Sequence, residues 1–260
     1  MLPYLHIASF NLPTFGLMLW LAAVVAAILV DRAFKRAGIG ADGISIVAIT
    51  VVAGIVGAKL WHVLDTPEEF RAIGWRALWD SAGFAWYGGL ALGLAALVTL
   101  GLRQRIGVLR MLDLAAPAAA IGYGVGRIGC FLSGDGCYGI PTSLPWGMSF
   151  PNGIEPTLAR VHPTPLYELA LGLAIGWWLW RQLAKPHATG AILGQYFLLT
   201  GVARFLVEFV RRNPKVVWGL SNAQLASAGA AVVGIVLLAW AARRPQGAEA
   251  KTAAAVEKTA

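Results

Sequence analysis

Residues Gly122–Gly139 read GYGVGRIGCFLSGDGCYG. One arginine, Arg127, stands among Gly122, Gly124, Gly126 and Gly129 inside an otherwise apolar segment. The segment then breaks into a polar, glycine-rich turn carrying Asp135, Cys137 and Tyr138. Hydrophobic stretches flank it on both sides. A charge in such surroundings is costly unless it is paired or hydrated, and marks a candidate functional site. Small neighbours let a second backbone, or a ligand head group, come close to the guanidinium. Arginine suits phosphate, because its planar fork donates two parallel hydrogen bonds and keeps its charge. A structural arginine paired to a carboxylate or a helix C-terminus is the competing reading.

The chain has 260 residues, of which 58% are hydrophobic and 13% charged. Soluble domains carry about 25% charged residues, and the mean hydropathy here is +0.66. This is the composition of an integral membrane protein. Eleven tryptophans fit interfacial belts, and 31 glycines fit close helix packing. The net charge of +8 is read as basic cytoplasmic loops. No nucleic-acid partner is expected, since no basic cluster alternates with exposed aromatics.

Apolar segments of spanning length fall near residues 12–30, 44–64, 83–102, 112–133, 164–182, 190–210 and 223–241. The expected fold is all-α, with about seven transmembrane helices. Alternating spans put Arg32, Lys35, Arg36, Arg103, Arg105, Arg110, Arg181, Lys185, Arg243, Arg244, Lys251 and Lys258 on one side. The other side carries Arg71, Arg76, Arg160, Arg211, Arg212 and Lys215, offset by five carboxylates that include Asp65, Asp80 and Glu155. Twelve against six places the N-terminus outside and the C-terminus in the cytoplasm. The domain reading is a transmembrane domain over 1–242 and a mobile cytoplasmic tail over 243–260. The start, MLPYLHIASFNLP, lacks a basic n-region, so no signal peptide is expected. Residues 65–82 read as an amphipathic interfacial segment with Trp75 and Trp79. Residues 134–163, with five prolines, read as an irregular but stiff outward loop.

Other polar residues lie at membrane depth. Arg204 and Glu208, four apart in RFLVEFVRR, share one helical face. They read as a structural ion pair, or as a glutamate holding an arginine toward a polar cavity. Tyr167 and Glu168 open a span after His162-Pro163, where Glu168 also suits a helix N-terminus. Lys59 and His62 are explained by snorkelling. Tyr87-Gly88-Gly89 combines an aromatic of the interfacial type with a close-approach glycine pair. Cys130 and Cys137 fit apolar packing, a disulfide on the oxidising side, or a covalent role for Cys137.

Taken together, these motifs resemble the prolipoprotein diacylglyceryl transferase family over nearly the whole chain. GRIGCFLSGDGCYG resembles the family signature Gly-Arg-x-Gly-Asn-Phe-x-Asn-Gly-Glu. FAWYGGLALG resembles its Ser-Phe-His-Gly-Gly-Leu segment. LPWGMSFPNG followed by HPTPLYE resembles its long outward loop and the His-Pro-Ser-x-Leu-Tyr-Glu entry to the next helix. RFLVEFVRR with NAQLAS resembles its Arg-x-x-x-Glu-Phe-x-Arg helix and the Gly-Gln-x-x-Ser that follows. The resemblance implies seven helices with the N-terminus outside, in the bacterial inner membrane, and an active site toward the periplasmic side. It implies transfer of the diacylglyceryl group of phosphatidylglycerol to the thiol of a lipobox cysteine in a prolipoprotein signal peptide. A thioether forms and glycerol phosphate leaves. By position, Arg127 corresponds to the head-group arginine, Arg204 to a second essential arginine, and Glu208 to its partner. Tyr87 stands at the catalytic position where the family commonly has histidine. Gly88, Gly89, Gly126, Gly129, Cys130, Asp135, Gly139, His162, Tyr167 and Glu168 are the implied substrate-binding residues.

The departures fall close together. Tyr87 replaces histidine, and tyrosine is a poor base at neutral pH. Cys130 replaces asparagine, Ser133-Gly134-Asp135 replaces Asn-Gly-Glu, and Phe15 stands where tyrosine is often found. Two other readings stay open. An intramembrane serine protease using Ser133 needs a histidine on another span, and only His62 qualifies among His6, His62, His162 and His187. A lipid-binding relative that kept the phosphate site and lost the chemistry is the second. No ligand cluster at metal spacing and no nucleotide loop appears in the sequence, so no metal and no cofactor is expected.

Overall fold

The computed structural model describes residues 1–7, 10–79 and 83–243. Among the described residues eight α-helices dominate: α1 Thr14–Arg36, α2 Gly43–Asp65, α3 Pro67–Ile73, α4 Trp86–Arg103, α5 Val108–Ser133, α6 Thr164–Leu183, α7 Ala191–Val207 and α8 Asn222–Ala242. Short 3-10 turns, Gly74–Leu78 and Glu208–Val210, extend α3 and α7. Two antiparallel pairs accompany them, β1 Tyr4–Ile7 with β2 Phe10–Pro13 and β3 Met148–Phe150 with β4 Thr157–Val161. These pairs are additions to the all-α reading. β3 and β4 give the proline-rich stretch 134–163 a paired core where an irregular loop is expected from the sequence.

Among the described residues, six helices are long and apolar enough to cross a membrane: α1, α2, α4, α5, α7 with its 3-10 turn, and α8. Helix α6 is 20 residues long but holds Glu168, Arg181 and three tryptophans, and is not in that set. The burial pattern is that of a membrane protein. In α8 the buried residues are Gln224, Ser227, Gly234 and Ala241, while Val232, Val233, Ile235 and Val236 face outward. A helix with polar groups inside and branched aliphatics outside is solvated by lipid. Residues 244–260, most of the expected tail, and Asp80 lie outside the described residues.

The chain forms two compact units, Ala27–Leu112, and Met1–Ala26 together with the segment from Asp113 onward. In the first unit, α2 and α4 meet at Gly57 and Gly88, each of which leaves no room for a Cβ against the other's carbonyl oxygen. Asp42 caps α2 by accepting from the Ile44 amide (2.9 Å) and the Ser45 amide (3.2 Å). Trp75 and Trp79 are exposed beside α3. Lys59 corrects the snorkelling reading. It is buried, with its ammonium 4.4 Å from the centre of the Phe84 ring, so an aromatic face solvates it.

In the second unit, α5 and α6 cross at Gly124 and Gly172. A Cβ on Gly172 would stand 2.9 Å from the Ala120 carbonyl oxygen and 3.0 Å from the Gly124 Cα. Helices α7 and α8 close similarly, with Gly201 against the Ser227 carbonyl and Gly234 against Leu198. Asp113, buried, accepts from the amides of Gly190 (2.6 Å) and Leu193 (2.7 Å). It supplies the side-chain cap that Gly190 cannot give α7.

Candidate active site

The α5–α6 crossing decides where the charges meet. Arg127 lies one turn beyond Gly124 on α5, and Glu168 lies one turn before Gly172 on α6. Because the two backbones touch at the glycines, these side chains face each other across a short gap. Arg127 Nε is 3.0 Å from Glu168 Oε2. Tyr123, one turn before Arg127, bridges the pair. Its hydroxyl donates to Glu168 Oε1 (3.0 Å) and accepts from Arg127 Nη2 (2.8 Å).

Two more arginines reach the same carboxylate. Arg204 Nε is 3.6 Å from Glu168 Oε1, and Arg211 Nη1 donates to Glu168 Oε2 at 3.3 Å. Arg204 also pairs with Glu208 through Nη1, four residues along the helix. Glu208 is fully buried and accepts from Asn213 Nδ2 (2.6 Å) and Ser221 Oγ (2.7 Å), and Arg211 Nε lies 3.7 Å from its Oε2. Ser221 is held by its own role. It forms a capping box with Gln224 at the start of α8. Arg127, Arg204 and Arg211 thus surround Glu168 and Glu208, leaving one unbalanced positive charge. The Nε groups of Arg127 and Arg211 are buried and lie against carboxylate oxygens, at 3.0 Å from Glu168 Oε2 and 3.7 Å from Glu208 Oε2, outside hydrogen-bond geometry.

The remaining candidates separate into packing and support. Gly129 fits α5 against α1, where a Cβ would stand 3.1 Å from Phe15 Cδ2, and Gly126 faces Leu19. Gly139 is wedged against the Val210 carbonyl and His162 Cβ, and its amide donates to the His162 carbonyl (2.8 Å). This ties the turn after α5 to the ends of β4 and α7. His162 Nδ1 lies 3.2 Å from the Tyr167 hydroxyl, which also accepts from Trp146 Nε1 at 2.8 Å. His162 and Tyr167 therefore hold the loop over 134–163 on the first turn of α6 and do not touch the arginine cluster through these bonds. Ser133 is buried and donates to the Cys130 carbonyl (3.3 Å), a helix-end bond that accounts for it without a protease role. Tyr87, Gly88 and Gly89 lie in the unit Ala27–Leu112 at the start of α4. There Tyr87 is exposed, Gly88 packs on Gly57, and Gly89 faces the Gly54 carbonyl at 3.3 Å.

The sequence reading misses Tyr123, Arg211, Asn213 and Ser221. Tyr123 had a usable signal in its four-residue spacing from Arg127, and Ser221 in the S-N-A-Q capping pattern. The expectation of no metal-ligand cluster also needs correction. Gly134 and Gly136, both left-handed at φ 59° and 80°, turn the chain back over the end of α5. Cys130 Sγ, a carboxylate oxygen of Asp135 and Cys137 Sγ then lie within 4.8 Å of one another. Arg127 Nη1 is 3.7 Å from Cys130 Sγ and 4.0 Å from Cys137 Sγ.

Fold and cluster together define a multi-pass membrane protein that holds three arginines on two buried carboxylates. The family model of prolipoprotein diacylglyceryl transferase matches residues 3–240. The phosphatidylglycerol–prolipoprotein diacylglyceryl transferase of Clostridium tetani is 34% identical over 231 residues, covering 85% of this chain and 90% of the relative. That of Nitrosospira multiformis is 32% identical over 247 residues, covering 88% and 82%. That of Nitrosomonas europaea is 36% identical over 208 residues, covering 74% and 71%. The chain belongs to the prolipoprotein diacylglyceryl transferase family.

Proposed function

We propose that the chain transfers the diacylglyceryl group of phosphatidylglycerol to the lipobox cysteine thiol of a prolipoprotein signal peptide, forming a thioether and releasing glycerol phosphate. The observation that carries this is the unbalanced positive charge of three arginines on two buried carboxylates. It matches the single negative charge of a phosphodiester. The bond that breaks joins a glycerol carbon to a phosphate oxygen, so negative charge builds on the departing phosphate. Donors already aimed at that oxygen stabilise it most. Arg127 and Arg204 hold the phosphate, with Arg211 as a third donor. Glu168 and Glu208 orient the three, and Tyr123 fixes Arg127 against Glu168. The attacking sulfur must be a thiolate, or lose its proton during attack.

The setting belongs to the same proposal. Helix α6 spans as the seventh helix, the N-terminus and the site face the periplasm, and the protein resides in the bacterial inner membrane. Residues 1–242 form the transferase domain, followed by a cytoplasmic tail over 243–260. Asp135 lies where the thiol arrives, and the signal helix enters from the bilayer. Gly126, Gly129 and Gly139 shape the lipid site by letting α5 and the turn after it pack closely on their neighbours.

The test is a transfer assay with purified protein, phosphatidylglycerol and a lipobox peptide, read by mass spectrometry. The peptide should gain a diacylglyceryl mass on its cysteine, and a cysteine-to-serine peptide should gain none. Tyr87 in place of the family histidine favours one alternative, a relative that binds the lipid without transferring it. Saturable phosphatidylglycerol binding with no modified peptide would establish that alternative.

A further inference from the structure

The end of α5 and the turn after it carry a second group of side chains, beside Arg127 and apart from the two shared carboxylates. Cys130, Asp135 and Cys137 point two sulfurs and a carboxylate at one spot, all within 4.8 Å of one another. Cys130 is buried, and Asp135 and Cys137 are half-buried. The convergence is built by the fold. Cys130 sits in the last turn of α5, and the left-handed Gly134 and Gly136 reverse the chain so that Cys137 returns over it. Gly134 is pinned by Gly153, whose Cα would stand 2.6 Å from a Cβ there, and the Glu155 amide donates to the Gly134 carbonyl (2.9 Å). One Asp135 oxygen, Oδ1, accepts from the Cys137 amide (3.2 Å), which holds the carboxylate beside the two sulfurs.

We propose that Cys130, Asp135 and Cys137 bind a zinc ion whose open fourth position takes the incoming substrate thiol. Tetrahedral zinc with Zn–S bonds of about 2.3 Å places neighbouring ligand atoms about 3.8 Å apart. The three atoms need only close by roughly 1 Å or less to reach that spacing. Two soft thiolates select zinc over magnesium or calcium, and the hard carboxylate argues against copper(I). Three protein ligands with a vacant fourth position is the layout of catalytic zinc, whereas structural zinc is fully enclosed. Arg127 supplies the outer shell. Its Nη1 already lies against both sulfurs at 3.7 Å and 4.0 Å, the position of a donor that orients metal-bound thiolates.

This inference rests on the transfer reading, and it answers the question which that reading leaves open. The chain has Tyr87 where the resembling motif has histidine, and has Cys130 and Asp135 where it has asparagine and glutamate. A thiol bound to zinc is deprotonated outright, so the metal takes over the task of a general base. The lipobox thiol gives up its proton as sulfur joins the metal. That sulfur attacks the glycerol carbon, the C–S bond forms and the C–O bond breaks. The bonding pair leaves on the phosphate oxygen, and the released proton ends on the glycerol phosphate. Arg127 then touches both halves of the reaction, the metal-bound sulfurs on one side and the phosphate on the other.

The experiment uses the full chain purified in detergent without chelators, loaded with Co²⁺ as a spectroscopic probe. Wild type should take up about one equivalent and show thiolate-to-cobalt charge-transfer and tetrahedral d–d bands. Adding the lipobox peptide should intensify the charge-transfer band, and the cysteine-to-serine peptide should leave it unchanged. Cys130→Ser, Cys137→Ser and Cys130→Asn, which restores the family residue, should each weaken metal binding by at least about 100-fold, since losing an outer-shell partner alone costs 10–100-fold. Unchanged thermal unfolding of at least one of the three shows that the loss is local. The proposal is overturned by absence of thiolate bands, by bands that persist in all three variants, or by a Cys130–Cys137 disulfide in the unreduced protein. Full transfer after verified zinc removal would end it while leaving the transfer reading intact. Peptide-responsive cobalt bands with no thioether product would do the reverse, retaining the metal site and ending the transfer reading.

Discussion

Two glycine crossings in this protein look alike and serve different ends. In the unit Ala27–Leu112, Gly57 of α2 meets Gly88 of α4, and the residues one turn away are Trp61 and Leu92. In the other unit, Gly124 of α5 meets Gly172 of α6, and the residues one turn away are Arg127 and Glu168. Both crossings use missing Cβ atoms to bring backbones together, which in lipid is a main source of helix association. Only the second carries charge into the gap. The glycines set a distance, and the residues one turn away decide whether that distance makes a packed seam or an ion cluster.

The comparison breaks most sharply at Arg127. Arg127→Ala removes one donor aimed at the phosphate, and the transfer rate should fall about a hundred- to a thousand-fold. Arg204 and Arg211 still neutralise Glu168 in that variant, so its thermal unfolding should move little. A large loss of stability with proportionate loss of rate would make Arg127 a structural residue.

Gly172→Ala and Gly57→Ala sharpen the contrast between the crossings. Each forces a methyl into a closed backbone contact, and overpacking of this kind costs about 1–3 kcal/mol. Both should unfold at lower temperature in the same detergent. Gly172→Ala should in addition lower kcat beyond its loss of folded protein, because it parts Arg127 from Glu168. Equal kcat per folded molecule in the two variants would mean that the α5–α6 spacing does not set the chemistry.

Smaller effects follow at the supporting residues. Ser221→Ala removes a helix cap, worth about 1 kcal/mol, and a hydrogen bond to Glu208. It should lower both stability and rate, with Ser221→Thr recovering most of each. Tyr123→Phe removes a hydroxyl that bridges Arg127 and Glu168, a loss of about 0.5–1.5 kcal/mol. Its effect should appear as roughly a three- to ten-fold fall in kcat/KM. No change would leave the direct Arg127–Glu168 contact sufficient by itself.

Much of this site is legible in the sequence. A charge inside an apolar run is conspicuous, so Arg127, Arg204, Glu208 and Glu168 stand out one by one. Helical spacing also joins Arg204 to Glu208. What the sequence does not show is that Glu168 is shared. Arg211 reads as an outward loop charge, and it turns inward only because α7 ends in the 3-10 turn Glu208–Val210. The β3–β4 pairing was hidden by prolines, since the hydrogen bonds that define it join distant residues. The Cys130–Asp135–Cys137 cluster was hidden by its spacing, which becomes a ligand set only once two left-handed glycines reverse the chain.

The central claim is that three arginines on two shared carboxylates form the phosphate site of a diacylglyceryl transfer. Its most direct measurement is the rate of thioether formation from phosphatidylglycerol and a lipobox peptide by wild type and by Arg127→Ala, both shown to be folded. Wild type should give product, and the variant should react at least about a hundred-fold more slowly. Equal rates from the two proteins would contradict it.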